Sequence, residues 1–143
     1  MSLHGTYDPE NIFAKIIAGE APCVKLFEDD HTIAFMDIFP QSKGHCLVVP
    51  KESARNLLEL SESAAREAIS RVKRLTEAVE KALSPDGVAV AQFNGAPADQ
   101  TVFHIHFHVI PSWGETQLRT HASGKPADMA ELEALAEKIR AAL

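Results

Sequence analysis

His104-Ile105-His106-Phe107-His108 alternates imidazole with apolar side chains, and no other stretch constrains the fold of this chain as strongly. Val102, Phe103, Val109 and Ile110 flank it, and β-branched and aromatic residues favour extended backbone. In a strand, side chains at i, i+2 and i+4 share a face. The spacing therefore predicts a strand over residues 101–110, with three imidazoles on one side and hydrocarbon on the other. Imidazole changes charge near neutral pH, so it serves as base, acid, nucleophile or metal ligand. A single histidine on an apolar strand is most often structural. Three in register point to a site.

A chain of 143 residues suits one domain with its own core, without disulfides or metals as staples. No apolar run reaches the length of a membrane span, and the first residues lack a secretory pattern. Cys23 and Cys46 are the only cysteines, too few for a disulfide framework, and a reducing cytoplasm is the expected location. A net charge of −6 argues against nucleic acid as a partner, since that binding needs clustered Lys and Arg. A small anionic substrate stays compatible, because local donors dominate the field inside a pocket.

Asp8-Pro9-Glu10 predicts a helix start, Ile12, Phe13, Ile16 and Ile17 its apolar stripe, and Gly19 its end. Strands are predicted over 24–28 and 32–38, joined at Asp29-Asp30-His31, and over 45–49 before Pro50. Apolar residues at three- and four-residue steps predict the longest helix over 61–83. A strand over 88–93 and a turn over 94–99 lead into the histidine strand. After an irregular stretch over 111–127, Asp128 and Glu131 form a capping-box pattern that opens a final helix over 128–143. This order predicts an α+β fold: a five-stranded, mainly antiparallel sheet with helices packed on one side. An exposed sheet edge would remain, and a second copy could cover it.

Four ordered segments closely resemble the histidine-triad (HIT) family of nucleotide hydrolases and transferases. His104 to Ile110 match its His-φ-His-φ-His-φ-φ motif, φ being apolar, and Gln100-Thr101-Val102-Phe103 resembles the segment before it. Gly44-His45-Cys46-Leu47-Val48-Val49-Pro50-Lys51, Ala34-Phe35-Met36-Asp37-Ile38 and Ile12-Phe13-Ala14-Lys15-Ile16-Ile17 resemble the other three. The resemblance covers residues 11–113 and implies an antiparallel five-stranded sheet, continued across a homodimer. It is nearest to the branch that cleaves the P–N bond of purine nucleoside phosphoramidates; dinucleoside polyphosphate hydrolysis stays open.

The resemblance also implies roles. His106 would be the nucleophile, giving a nucleotidyl-histidine, with its other ring nitrogen held by a main-chain carbonyl. His108 would bind the phosphate and protonate the leaving group, while His104 and His45 orient the row. Thr101 and the Val102 N–H would be phosphate donors, in the segment opened by Gln100, and Asp37 would accept from the ribose hydroxyls. Phe13, Ile16, Phe35 and Ile38 would line a purine slot, although periodicity alone assigns them to the core. His4, His31 and His121 belong to the surface, and Trp113 to packing.

Three departures from the family pattern bear on activity. Bacterial relatives often bind zinc through Cys-x-x-Cys in the first helix, with equivalents of His45 and His104; Asn11 and Ala14 replace those cysteines here. No metal and no cofactor are expected. Asp99 stands where relatives usually have glycine, and Phe93 where they often have an amide, with Asn94 the expected substitute contact. Two readings compete with a metal-independent hydrolase. His-x-His on a strand is a common ligand pair, but no acidic residue follows at ligand spacing. A nucleotide-binding module with little catalysis is the other.

Overall fold

The computed structural model describes residues 3–114 and 126–143. Five strands make one sheet in the order β1-β2-β3-β5-β4, every pair antiparallel. They are β1 (Lys25–Glu28), β2 (Thr32–Met36), β3 (Cys46–Pro50), β4 (Gly87–Ala91) and β5 (Phe107–Ser112). Asp29 closes the first hairpin by accepting from the His31 and Thr32 N–H groups at 2.8 and 2.9 Å. Three α-helices, α1 (Ile12–Ile17), α2 (Glu62–Leu83) and α3 (Met129–Ala142), and a single 3-10 turn over Ala96–Ala98 complete the described fold.

Alternation in the central strands sorts side chains between two layers. Ala34 and Met36 of β2, Cys46 and Val48 of β3, and Phe107 and Val109 of β5 point to the main core. There they meet Val72, Leu75 and Val79 of α2, with Leu132, Ala136 and Ile139 of α3 packed alongside. Ile33, Phe35, Leu47 and Val49 point the other way and pack with Phe13 and Ile16 of α1. Helices thus lie on both faces, a correction to the expected one-sided packing. The stripe of α1 is too short to add to the main core, and it covers one patch of the opposite face.

Helix ends differ in detail from their expected form. α1 starts after Asn11, whose side chain accepts from the Ala14 N–H at 2.9 Å, rather than at Asp8. Asp8 instead accepts from the Glu10 N–H and makes the turn before it. Ser61 caps α2 on the Ala64 N–H. Asp128 occupies the cap position of α3 without a side-chain bond, and Glu131 pairs with Lys43 at 3.2 Å instead of closing a box.

The largest correction concerns the histidine strand. β5 begins at Phe107, so His104 and His106 precede the ladder on irregular backbone, with a bend over residues 102–104. Pairing with β3 runs from Cys46↔Val109 to Val48↔Phe107 and stops. Beyond it lies Pro50, which has no N–H to donate, and its carbonyl accepts from the His104 ring instead. His4 and His31 are exposed, as expected, and Trp113 is half-buried. His121 lies outside the described residues, as does most of the irregular stretch.

Candidate active site

The face of the sheet opposite the main core opens into a cavity of about 390 Å³. α1 contributes Phe13 and Ile16, β2 contributes Phe35, and the turn after β2 contributes Asp37 and Ile38. Thr101, Val102, His106 and His108 complete the polar end. Nine sequence-predicted residues thus share one cavity. Ile12 and Ile38 are half-exposed on its wall, at 47% and 45%, a placement that suits a slot for a flat apolar ring.

Hydrogen bonds fix the tautomers of the four buried histidines. A main-chain carbonyl only accepts, so a ring nitrogen facing one must carry hydrogen. His106 Nδ1 lies 2.7 Å from the His104 carbonyl and therefore donates, which places the lone pair on Nε2. His45 Nδ1 accepts from the Gln41 N–H at 3.0 Å, so its hydrogen is on Nε2. That hydrogen meets His108 Nδ1 at 2.9 Å, so in its neutral form His108 carries its own on Nε2. His104 donates from Nε2 to the Pro50 carbonyl at 2.7 Å. Burial outweighs that bond and holds the His104 pKa below the ordinary histidine range, so the ring is neutral.

Local sequence explains how each ring is delivered. Gly44 has φ +94° and precedes His45; a Cβ there would collide with Leu83 Cδ1 and stand 3.2 Å from Pro111 Cγ. Only glycine brings that turn down beside β5. Asp37 Oδ1 accepts from the Phe39 N–H at 2.8 Å, a local turn that leaves Oδ2 3.4 Å from His45 Nε2. His106 and His108 stack edge to face, centroids 5.0 Å apart, and Phe13 meets His106 at 4.8 Å.

Four predicted residues do not line the cavity. His45 and His104, each 0% exposed, stand behind it. The Gln100 amide donates to the Arg55 and Val102 carbonyls at 2.6 and 3.0 Å, and accepts from the Gly95 N–H at 2.7 Å. Asn94 accepts from the Leu57 N–H at 2.9 Å and exchanges bonds with Gln92. Both amides brace loops and lie outside the cavity lining. Phe93 instead lies against His108, centroids 5.2 Å apart. Asp99 is exposed and outside the lining. Tyr7, Gln41, Cys23 and Pro22 belong to the site or its support without any sequence spacing to announce them.

Neither metal arrangement fits. At the positions of the family's cysteine pair, the Asn11 side chain caps α1 and Ala14 has no donor atom. Asp37, His45 and His108 bring ligand atoms within 4.8 Å of one another, the one such group found among the described residues. The Gln41 N–H, however, occupies the His45 Nδ1 lone pair and keeps hydrogen on Nε2, the atom a metal would need.

A profile of the HIT domain matches residues 18–114. The chain belongs to the HIT family. It is 43% identical over 129 residues to adenosine 5'-monophosphoramidase hnt1 of Schizosaccharomyces pombe, covering 90% of this chain and 94% of that protein. It is 37% identical over 123 residues to adenylylsulfatase HINT3 of Arabidopsis thaliana, covering 82% of this chain and 62% of that protein. The crystal structure of a Hit-like protein from Bartonella henselae superposes with a TM-score of 0.92 at 46% identity, covering 97% of this chain and 100% of the other. A zinc-bound histidine-triad protein from Mycobacterium smegmatis gives 0.82 at 30% identity, covering 93% and 92%. HIT membership places the chain among the nucleotide hydrolases.

Proposed function

We propose that this HIT protein hydrolyses purine nucleoside phosphoramidates through a nucleotide bound covalently to His106. The observation that carries the reading is the 2.7 Å bond from His106 Nδ1 to the His104 carbonyl, which leaves Nε2 with its lone pair on a ring that lines the cavity. That lone pair attacks the α-phosphorus and the bond from phosphorus to the amine breaks. A His108 ring that has taken up a second proton gives its Nε2 hydrogen to the departing nitrogen and returns to the neutral form, with His45 beside its Nδ1. Water then attacks phosphorus, the bond to His106 breaks, and a proton of that water returns to His108. General-acid help of this kind is worth ~10²–10⁴ in rate.

The other side chains bind. Thr101 and the Val102 N–H face the phosphate, Asp37 the ribose hydroxyls, and Phe13, Ile16, Phe35 and Ile38 the purine. The phosphoramidase relatives at 43% and 40% identity support the leaving-group class. Exposed Val90 on the edge strand β4 suits continuation of the sheet into a second copy, and the free thiols Cys23 and Cys46 suit a cytoplasmic location. No described helix is long and apolar enough to cross a membrane.

The test compares an adenosine phosphoramidate, an adenylyl sulfate and a dinucleoside polyphosphate as substrates, with His106→Ala as the blank. Turnover is expected to be fastest with the phosphoramidate. In the variant it should fall by at least roughly 10³-fold while AMP binding persists. Full activity in His106→Ala would refute the mechanism.

A further inference from the structure

The segment that bears His104 and His106 lies outside the ladder, so other bonds must hold it. The Ile105 N–H donates to the Ala54 carbonyl at 2.9 Å. The His104 ring supplies two more anchors, one to Pro50 and one to Tyr7, whose hydroxyl lies 2.6 Å from His104 Nδ1. Because the Pro50 carbonyl claims the hydrogen on Nε2, Nδ1 carries the lone pair and the tyrosine is the donor. The two rings also meet edge to face, with centroids 5.7 Å apart.

Tyr7 is itself held in place. Residues 3–7 run as a strap over Arg55 and Asn56: Asn56 Nδ2 donates to the Leu3 carbonyl at 2.8 Å, and Arg55 Nη1 to the Thr6 carbonyl at 3.3 Å. A Cβ on Gly5 would stand 3.2 Å from Arg55 Cζ, so the absent side chain lets the strap lie close. Its end is a rigid phenol aimed at a fully buried imidazole. The carbonyl of that same histidine sets the His106 tautomer. Ring and carbonyl belong to one residue, so a ring anchored at both nitrogens restrains the backbone that presents the carbonyl.

We propose that Tyr7 is a positioning residue for the nucleophile, pinning His104 so that its carbonyl holds the His106 lone pair toward the cavity. The inference rests on the reading of His106 given above. A residue in this role affects the chemical step without touching the nucleotide, since Tyr7 is not part of the cavity lining.

Tyr7→Phe keeps the ring and removes only the hydroxyl. The expected result is a kcat about tenfold lower, with AMP affinity within about twofold of the parent and the unfolding midpoint little changed. Nitrogen-edited spectra of the imidazoles should show His106 leaving its single Nδ1–H tautomer. His4→Ala, a change on the same strap, should keep the parent kcat. The proposal is overturned if Tyr7→Phe stays within about twofold of the parent in kcat, or loses kcat only in step with AMP affinity or folded fraction. Should the parent form no covalent nucleotide adduct, the role of His106 fails on its own. The spectra still judge Tyr7 in that case, and an unchanged His106 tautomer in Tyr7→Phe overturns it.

Discussion

Asp99 has φ 72°, a left-handed conformation in which a side chain ordinarily clashes with its own backbone. Aspartate is among the few residues that tolerate it, and glycine tolerates it best. Asp99→Val is expected to cost about 1–2 kcal/mol of stability, and Asp99→Gly to cost none, as read from urea midpoints. The exposed Asp99 carboxylate stands outside the cavity lining. His104 carries a second prediction. Its folded pKa is depressed by burial, so below the unfolded value of about 6.5 the unfolded chain takes up the proton first. Stability should therefore decline as pH falls below about 6.5 toward the folded value, and His104→Gln should flatten that decline. At this scale the alternating histidines announced the chemistry plainly. The Gln41 N–H and Tyr7 partners stayed hidden, since one is main chain and the other lies 97 residues from His104.

Elements were legible where periodicity was long. The stripe of α2 appears in the sequence; the structure adds Ser61 as its cap, and Ser61→Ala should lower stability by about 1 kcal/mol, measured by chemical denaturation. The short α1 was harder to bound, because Asp8 and Asn11 are both good caps and only the fold selects between them. Its position matters, since it carries Phe13 and Ile16 into the cavity. The start of β5 could not be read from residues 101–106 at all. β-favouring side chains continue through that stretch, yet the partner strand runs out at Pro50. Pairing is decided by what lies opposite, which a local pattern does not contain.

On the scale of the whole molecule, the sheet divides labour. One face is hydrocarbon under α2 and α3; the other carries the cavity under α1. The first hairpin is tied to α2 by Arg71, whose Nε lies 2.8 Å from Asp29 Oδ2. Burial alone would raise the Asp29 pKa, but the Arg71 bond and the His31 and Thr32 N–H groups outweigh it and hold the value at about 2. This contribution is complete above the unfolded value of about 3.9 and fades as pH falls toward about 2, so Arg71→Met should narrow the acid-side stability range. Val90→Lys, on the edge strand, is expected to give a monomer in sedimentation if the sheet joins that of a second copy.

The oxygen that sets the His106 tautomer belongs to the polypeptide backbone. No codon change can delete it, so a complete survey of point substitutions would register the imidazole and pass over the atom that arms it.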